Sequence, residues 1–159
     1  TQPFRTYQRR KRAINIMAIR TVNITELANI ERSSGKVYPA GCTLIQVSAT
    51  RGQVLYHAEE AKIPSHYAVF FPNDKVLPKY LYHAISFQAR RFIYTIQTGL
   101  NIQMDTLSEM ELKIHTDLEK QAEIVRYLDV IENMETKEEA TIELLKQAKQ
   151  TNLSDMFAE

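Results

Sequence analysis

Cysteine is almost absent from this 159-residue chain, where Cys42 stands alone. A lone cysteine excludes an internal disulfide framework and any cysteine-based metal cage, and it fits a reducing cytosol. Apolar runs last only a handful of residues, so no segment can span a bilayer and no membrane role is expected. The charge, apolar run and small residues of a signal peptide are missing in that order. No glycine loop is present to cradle phosphates. The four histidines, His57, His66, His83 and His115, show no metal-ligand spacing. After Gly99 the chain has neither glycine nor proline, so nothing there breaks a helix.

What is present is a charge gradient hidden under a formal net charge of +1. Residues 1–25 carry Arg5, Arg9, Arg10, Lys11, Arg12 and Arg20 with no acid, whereas residues 117–159 carry eleven acids against five bases. A polyanion is drawn to the front of such a molecule and repelled by the back.

The patterning predicts a small α+β domain. The stretch Ala13–Ile19 fits either a short helix or a strand. Ile24, Leu27, Ala28 and Ile30 mark a short element, and Ser33–Lys36 a turn. Thr43–Ala49 and Gln53–Tyr56, joined through Arg51-Gly52, read as a hairpin, and Tyr67–Phe71 as a third strand. Pro78 opens a helix whose Leu81, Ala84, Ile85 and Gln88 recur at helical spacing. Phe92–Gln97 is β-prone, and Met110–Ile114 reads as a last strand.

From Thr116 onward the pattern is helical. Thr116 and Glu119 match a capping box, with Asp117 adding negative charge to the first turn. Leu118, Val125, Leu128 and Ile131 form an apolar stripe that resumes with Ile142, Leu145 and Met156. It is interrupted at Glu135-Thr136-Lys137-Glu138-Glu139. A helix over 117–157 is roughly 60 Å long, too long for so small a domain to cover. Its stripe therefore calls for another helix, and the lack of unbroken heptads leaves an antiparallel arrangement open. A hairpin folding back at the interruption is the alternative. The resulting division is a basic segment 1–21, a domain 22–115 and a helix 116–159.

Signals for chemistry are sparse. Asp105, Glu111 and Lys113 match a fragment of a nuclease metal site, but Glu135-Thr136-Lys137 repeats the same spacing inside the helix. No catalytic residue, metal ligand or cofactor is expected. The polar residues that stand out sit in turns between β-prone runs: Ser34, Lys36, Tyr38, Arg51, Gln53, Gln97, Thr98, Asn101 and Gln103. Arg, Lys, Gln and Asn can pair with base edges, and Ser, Thr and Tyr suit phosphates. Arg9, Arg10, Lys11 and Arg12 add attraction independent of base sequence.

Several segments in order carry a resemblance. Leu77-Pro78-Lys79-Tyr80-Leu81, Gly99-Leu100-Asn101-Ile102-Gln103-Met104, Leu107 with Leu112-Lys113-Ile114, Glu119–Val125 and Leu144–Phe157 form one series. Ile24–Ala28, Gly35–Pro39 and Gly52-Gln53-Val54 agree with it. Together they resemble the specificity (S) subunit of Type I restriction–modification systems. The resemblance implies that 22–115 form a target recognition domain for double-stranded DNA and that 116–157 form a conserved-region helix. It further implies an antiparallel helix pair that spaces two such domains over a bipartite site. That pair would dock the methyltransferase (modification) subunit and, through it, the restriction subunit. S-adenosylmethionine and ATP belong to the other subunits. Full subunits carry two recognition domains and two helices. A chain with one of each is thus expected to act as a half-subunit and homodimerise. A coiled-coil interaction protein without a DNA role, an orphan or decoy remnant, is the competing reading.

Overall fold

The computed structural model describes residues 19–48, 52–96 and 101–157. Among the described residues, eight strands and three helices follow in order: β1 (Ile19–Asn23), a 3₁₀ turn (Ile24–Glu26), β2 (Ala28–Arg32), β3 (Val37–Tyr38), β4 (Cys42–Gln46), β5 (Val54–His57), β6 (Ala61–Lys62), β7 (Tyr67–Pro72), α1 (Pro78–Ile96), α2 (Met104–Leu107), β8 (Glu111–His115) and α3 (Leu118–Phe157). The chain divides after Ala122 into a domain and the remainder of α3. The α+β class and the long terminal helix expected from the sequence are both present.

The domain is built on an antiparallel sheet of order β2-β7-β4-β5. Two-residue strands β3 and β6 pair with each other, and β1 pairs with β8 in register Ile19↔His115 to Asn23↔Glu111. β1 therefore straddles the Val22 boundary read from the sequence and settles Ile19 as strand. The predicted hairpin is β4–β5, with Ile45 opposite Val54.

Central strands β4 and β7 are buried on both faces, which explains their near-continuous apolar runs. On one face, Cys42, Leu44 and Val69 pack with Tyr38 and Ile63. The alternate residues Ile45, Ala68 and Phe70 point to the other face, against which α1 lays Leu81, Ile85, Ala89 and Ile93. All seven of these are at most 2% exposed. This four-residue spacing also carries α1 through the β-prone stretch. Phe92–Ile96 is the last turn of α1, because burying Ile93 on the helical stripe outweighs local β propensity.

α3 is one continuous helix of 40 residues, so the fold-back hairpin does not form. Its cap is Asp117, one position after the expected Thr116: the Asp117 carboxylate accepts from the Glu119 N–H at 3.0 Å. Within the domain, the first turn of α3 is held by Gln121, which is fully buried. Its amide oxygen accepts from Leu77 N–H (2.8 Å), and its amide nitrogen donates to the carbonyls of His115 (2.7 Å) and Lys75 (3.3 Å). The His115 N–H in turn donates to the Tyr80 hydroxyl at 2.9 Å. Gln121→Leu keeps the volume but strands one buried donor and two carbonyls. It should cost about 3 kcal/mol, read as a lowered urea midpoint with an unchanged slope.

Candidate nucleic-acid interface

Sheet direction sorts the polar turns. β2 and β4 finish where β5 and β7 begin, so residues 33–36, 47–48, 52–53 and 65–66 gather at one end of the sheet. Backbone bonds tie this end together: Ser33 N to Tyr67 O (2.9 Å), Gln46 N to Gln53 O (2.9 Å), Val47 N to His66 O (2.8 Å) and Ile102 N to Val47 O (2.8 Å). A bridge between Ser48 and Asn101 adds the segment before α2.

Six of the turn residues chosen from sequence are described, and five of them lie on these segments with exposed side chains. Ser34 and Lys36 come from the β2–β3 turn, Gln53 from the hairpin, and Asn101 and Gln103 from the α2 approach. Gln103 occupies the cap position of α2 without making a side-chain cap bond. Lys36 lies 3.3 Å from Glu31 and 5.1 Å above the Tyr38 ring. This exposed pair adds little stability, so Lys36 can exchange its partner at small cost.

Tyr38 is the sixth and corrects the expectation. It is 1% exposed and its ring stacks near Phe71, centroids 5.9 Å apart. Its hydroxyl accepts from Ser34 N–H at 3.1 Å. It has no surface to offer DNA and shapes the Ser34 turn from beneath. Its apolar ring explains the outcome: an aromatic beside a glycine turn packs inward when the sheet face below is open. Arg51, Gln97, Thr98, Arg9, Arg10, Lys11 and Arg12 lie outside the described residues.

Sequence reasoning missed Arg32. At the end of β2, its Nε donates to Ser65 O (3.1 Å) and its Nη2 to Ser48 Oγ (3.0 Å), so an exposed guanidinium braces two turns of this end. No motif marks it. Only the pairing of β2 with β7 places it there.

The other chemical candidates do not assemble. Glu111 and Lys113 are exposed on β8 and Asp105 on α2. Among the described residues, Asp105 and Glu111 do not join a group of three metal-ligating side chains. The Lys113 backbone is bonded both ways by the Gln88 amide. Burial, and secondarily the charge of Glu31, pushes the Cys42 thiol up, and its Sγ donates to Pro39 O. A buried thiol held protonated is a core residue.

The interface end depends on Gly52. Its φ is +78°, and a methyl there would stand 2.6 Å from Cδ1 and 2.9 Å from Cγ2 of buried Ile93. Gly52→Ala should therefore cost about 1–3 kcal/mol, measured by urea unfolding. An unchanged midpoint would show that the hairpin turn relaxes freely.

The family described as "Type I restriction modification DNA specificity domain" matches residues 6–147. Among solved structures, the chain is similar to the Type-I restriction-modification system S subunit from M. genitalium. The TM-score is 0.71 at 15% identity, covering 88% of this chain and 46% of that one. A structure titled as the basis of complex assembly and conformational transition of the type I R-M system gives 0.65 at 18%, covering 84% and 43%. The HsdS subunit from Thermoanaerobacter tengcongensis gives 0.54 at 20%, covering 74% and 38%. The chain thus spans less than half the length of each. No curated protein sequence matches it. With a profile covering most of its length and the sheet, α1 and α3 laid out as described, the chain belongs to the Type I restriction–modification DNA specificity domain family.

Proposed function

We propose that this chain is a non-catalytic DNA-recognition module that reads one half of a bipartite site, and that two copies are joined through α3. The observation that carries this reading is the segregation of polar turns. Ser34, Lys36, Gln53, Asn101 and Gln103 project from one end of the sheet. The first turn of α3 is tied to Lys75 and Leu77, which follow the opposite end of β7. Family membership supplies the ligand class.

Base readout falls to Gln53, Asn101 and Gln103, whose amides can donate and accept in pairs to adenine in a major groove. Ser34 and Lys36 suit phosphates, and Arg9–Arg12 add nonspecific attraction. α3 carries exposed Leu118, Ile131, Ile142, Leu145 and Met156, with Val125 and Leu128 half-buried. Such a stripe supports an antiparallel pair that sets the half-site spacing and docks methyltransferase subunits, through which a restriction subunit would join. Its acidic surface keeps DNA off the spacer.

Replacing Arg9–Arg12 with glutamine should lower the slope of log affinity against log salt by up to about 3–4 units and leave base preference intact. Gln103→Ala should do the reverse, relaxing preference at one base position by about 1–3 kcal/mol. Fluorescence anisotropy across salt and a randomised half-site library measures both. A change in preference on removing the arginines sinks the division of roles. Methylome sequencing beside the cognate methyltransferase should show a split palindrome that vanishes with this gene.

Leu128→Glu or Leu145→Glu should yield monomers whose domain stays folded. Sedimentation decides this, since a dimer that survives both changes is not held by α3.

A further inference from the structure

The stripe of α3 is interrupted by acids that lie on the stripe itself. At 3.6 residues per turn, Glu135 and Glu138 share a face with Ile131, Met134, Ile142 and Leu145. All six are exposed, the apolar four by 50–65%. Lys137 sits about 100° round the helix from Glu138 and off the stripe. In an antiparallel pair of identical helices, the zones Leu118–Ile131 and Ile142–Met156 cover each other across a twofold axis between them. The acidic pair of one copy then meets the acidic pair of the other, and like charges brought together at an interface repel. Such a pair needs a countercharge.

The exposed face of α1 carries one. Opposite its buried Leu81, Ile85, Ala89 and Ile93 stand Phe87, Arg91 and Tyr94, with Arg90 nearer the margin. Phe87 and Tyr94 are 87% and 89% exposed, the two most exposed large apolar side chains described. Neither guanidinium, and neither of the two stripe carboxylates, has an ion-pair partner among the described residues. The two surfaces have complementary order. α1 presents aromatic, base, base, aromatic over roughly 10 Å, and α3 presents Met134, Glu135, Glu138, Ile142 over roughly 12 Å.

We infer that the Phe87–Arg90–Arg91–Tyr94 face of α1 receives the acid-interrupted segment Ile131–Leu145 of α3 from a second copy of the chain. This inference rests on the proposed pairing through α3. The aromatics cover Met134, which lies outside both paired zones, and the arginines neutralise the carboxylates that the pairing crowds together. The interruption is then the point at which domain and spacer of opposite copies lock, fixing where each reading end sits.

Sedimentation equilibrium of the full chain over a salt series tests this. The wild-type dimer should weaken as salt rises from about 0.05 to 0.5 M, the sign of net attraction. Arg90→Glu with Arg91→Glu should raise the dimer Kd about tenfold or more. Adding Glu135→Arg and Glu138→Arg to that variant should recover most of the loss, as a double-mutant cycle requires. Phe87→Ala with Tyr94→Ala should weaken the dimer while its circular dichroism spectrum stays that of the folded chain. A dimer strengthened by salt and indifferent to the arginine reversals overturns the inference and leaves α3 pairing standing. Reversals that shift the melting temperature with Kd unchanged overturn it in favour of a contact within one chain. A wild type that is monomeric at every concentration overturns the pairing itself.

Discussion

One buried amide governs how the domain ends and the long helix begins. Gln121 lies on the first turn of α3, and its three hydrogen bonds take the Leu77 N–H and the Lys75 and His115 carbonyls. Each of those groups sits where regular structure stops, either at the end of β8 or before α1. In water such ends need no partner, but in a closed junction each unmet group costs free energy. A glutamine amide has the donors and acceptor to meet all three, and Tyr80 meets the remaining His115 N–H. Burial raises the Tyr80 phenol and the backbone bond lowers it in part, so the hydroxyl stays protonated across the physiological range. The backbone groups of the joint are thus met by neutral polar partners.

That joint determines what each end of the sheet is free to do. The segment after β7 is committed to α3, and Asn73 further ties it to the 3₁₀ turn through bonds to the carbonyls of Leu27 and Glu26. At the opposite end, where β2 and β4 finish, the described turns are joined mainly through backbone bonds, with the side chains of Ser34, Lys36, Gln53 and Asn101 exposed. Exposed Gln, Asn and Lys on turns braced by Arg32 are a ready set of hydrogen-bonding groups at low ordering cost.

Much of the fold could be read in the sequence because its strongest signals are periodic. α1 and α3 carry apolar residues at helical spacing, and β4 and β7 are short β-prone apolar runs between turn signals, so all four elements can be read from the sequence. The failures were local. Phe92–Ile96 is β-prone by composition yet helical, because Ile93 completes a stripe begun at Leu81. The cap moved from Thr116 to Asp117, since either side chain can accept and only backbone geometry chooses. The turn around Tyr38 predicts a surface residue, but a sheet face formed by strands distant in sequence buries its ring. Gln121 carried no signal at all, being one polar residue in a polar first turn. Its role exists only once three chain segments meet.

The same contrast applies to the interrupted stripe. Taken alone, Glu135-Thr136-Lys137-Glu138-Glu139 reads as a flaw in a pairing helix or as a place to turn back. The continuous helix removes the turn, so the acids stay on a face that must be covered. A flaw of this kind costs least when its charges are met by fixed cations rather than by bulk salt, because a guanidinium held at an interface need not be ordered anew for each contact. Exposed aromatics flanking two arginines on α1 have no role within the domain core, while the interruption has no partner within its own helix. In the symmetric dimer proposed above, the operation that pairs the helices also relates these two surfaces, so a single axis meets both needs.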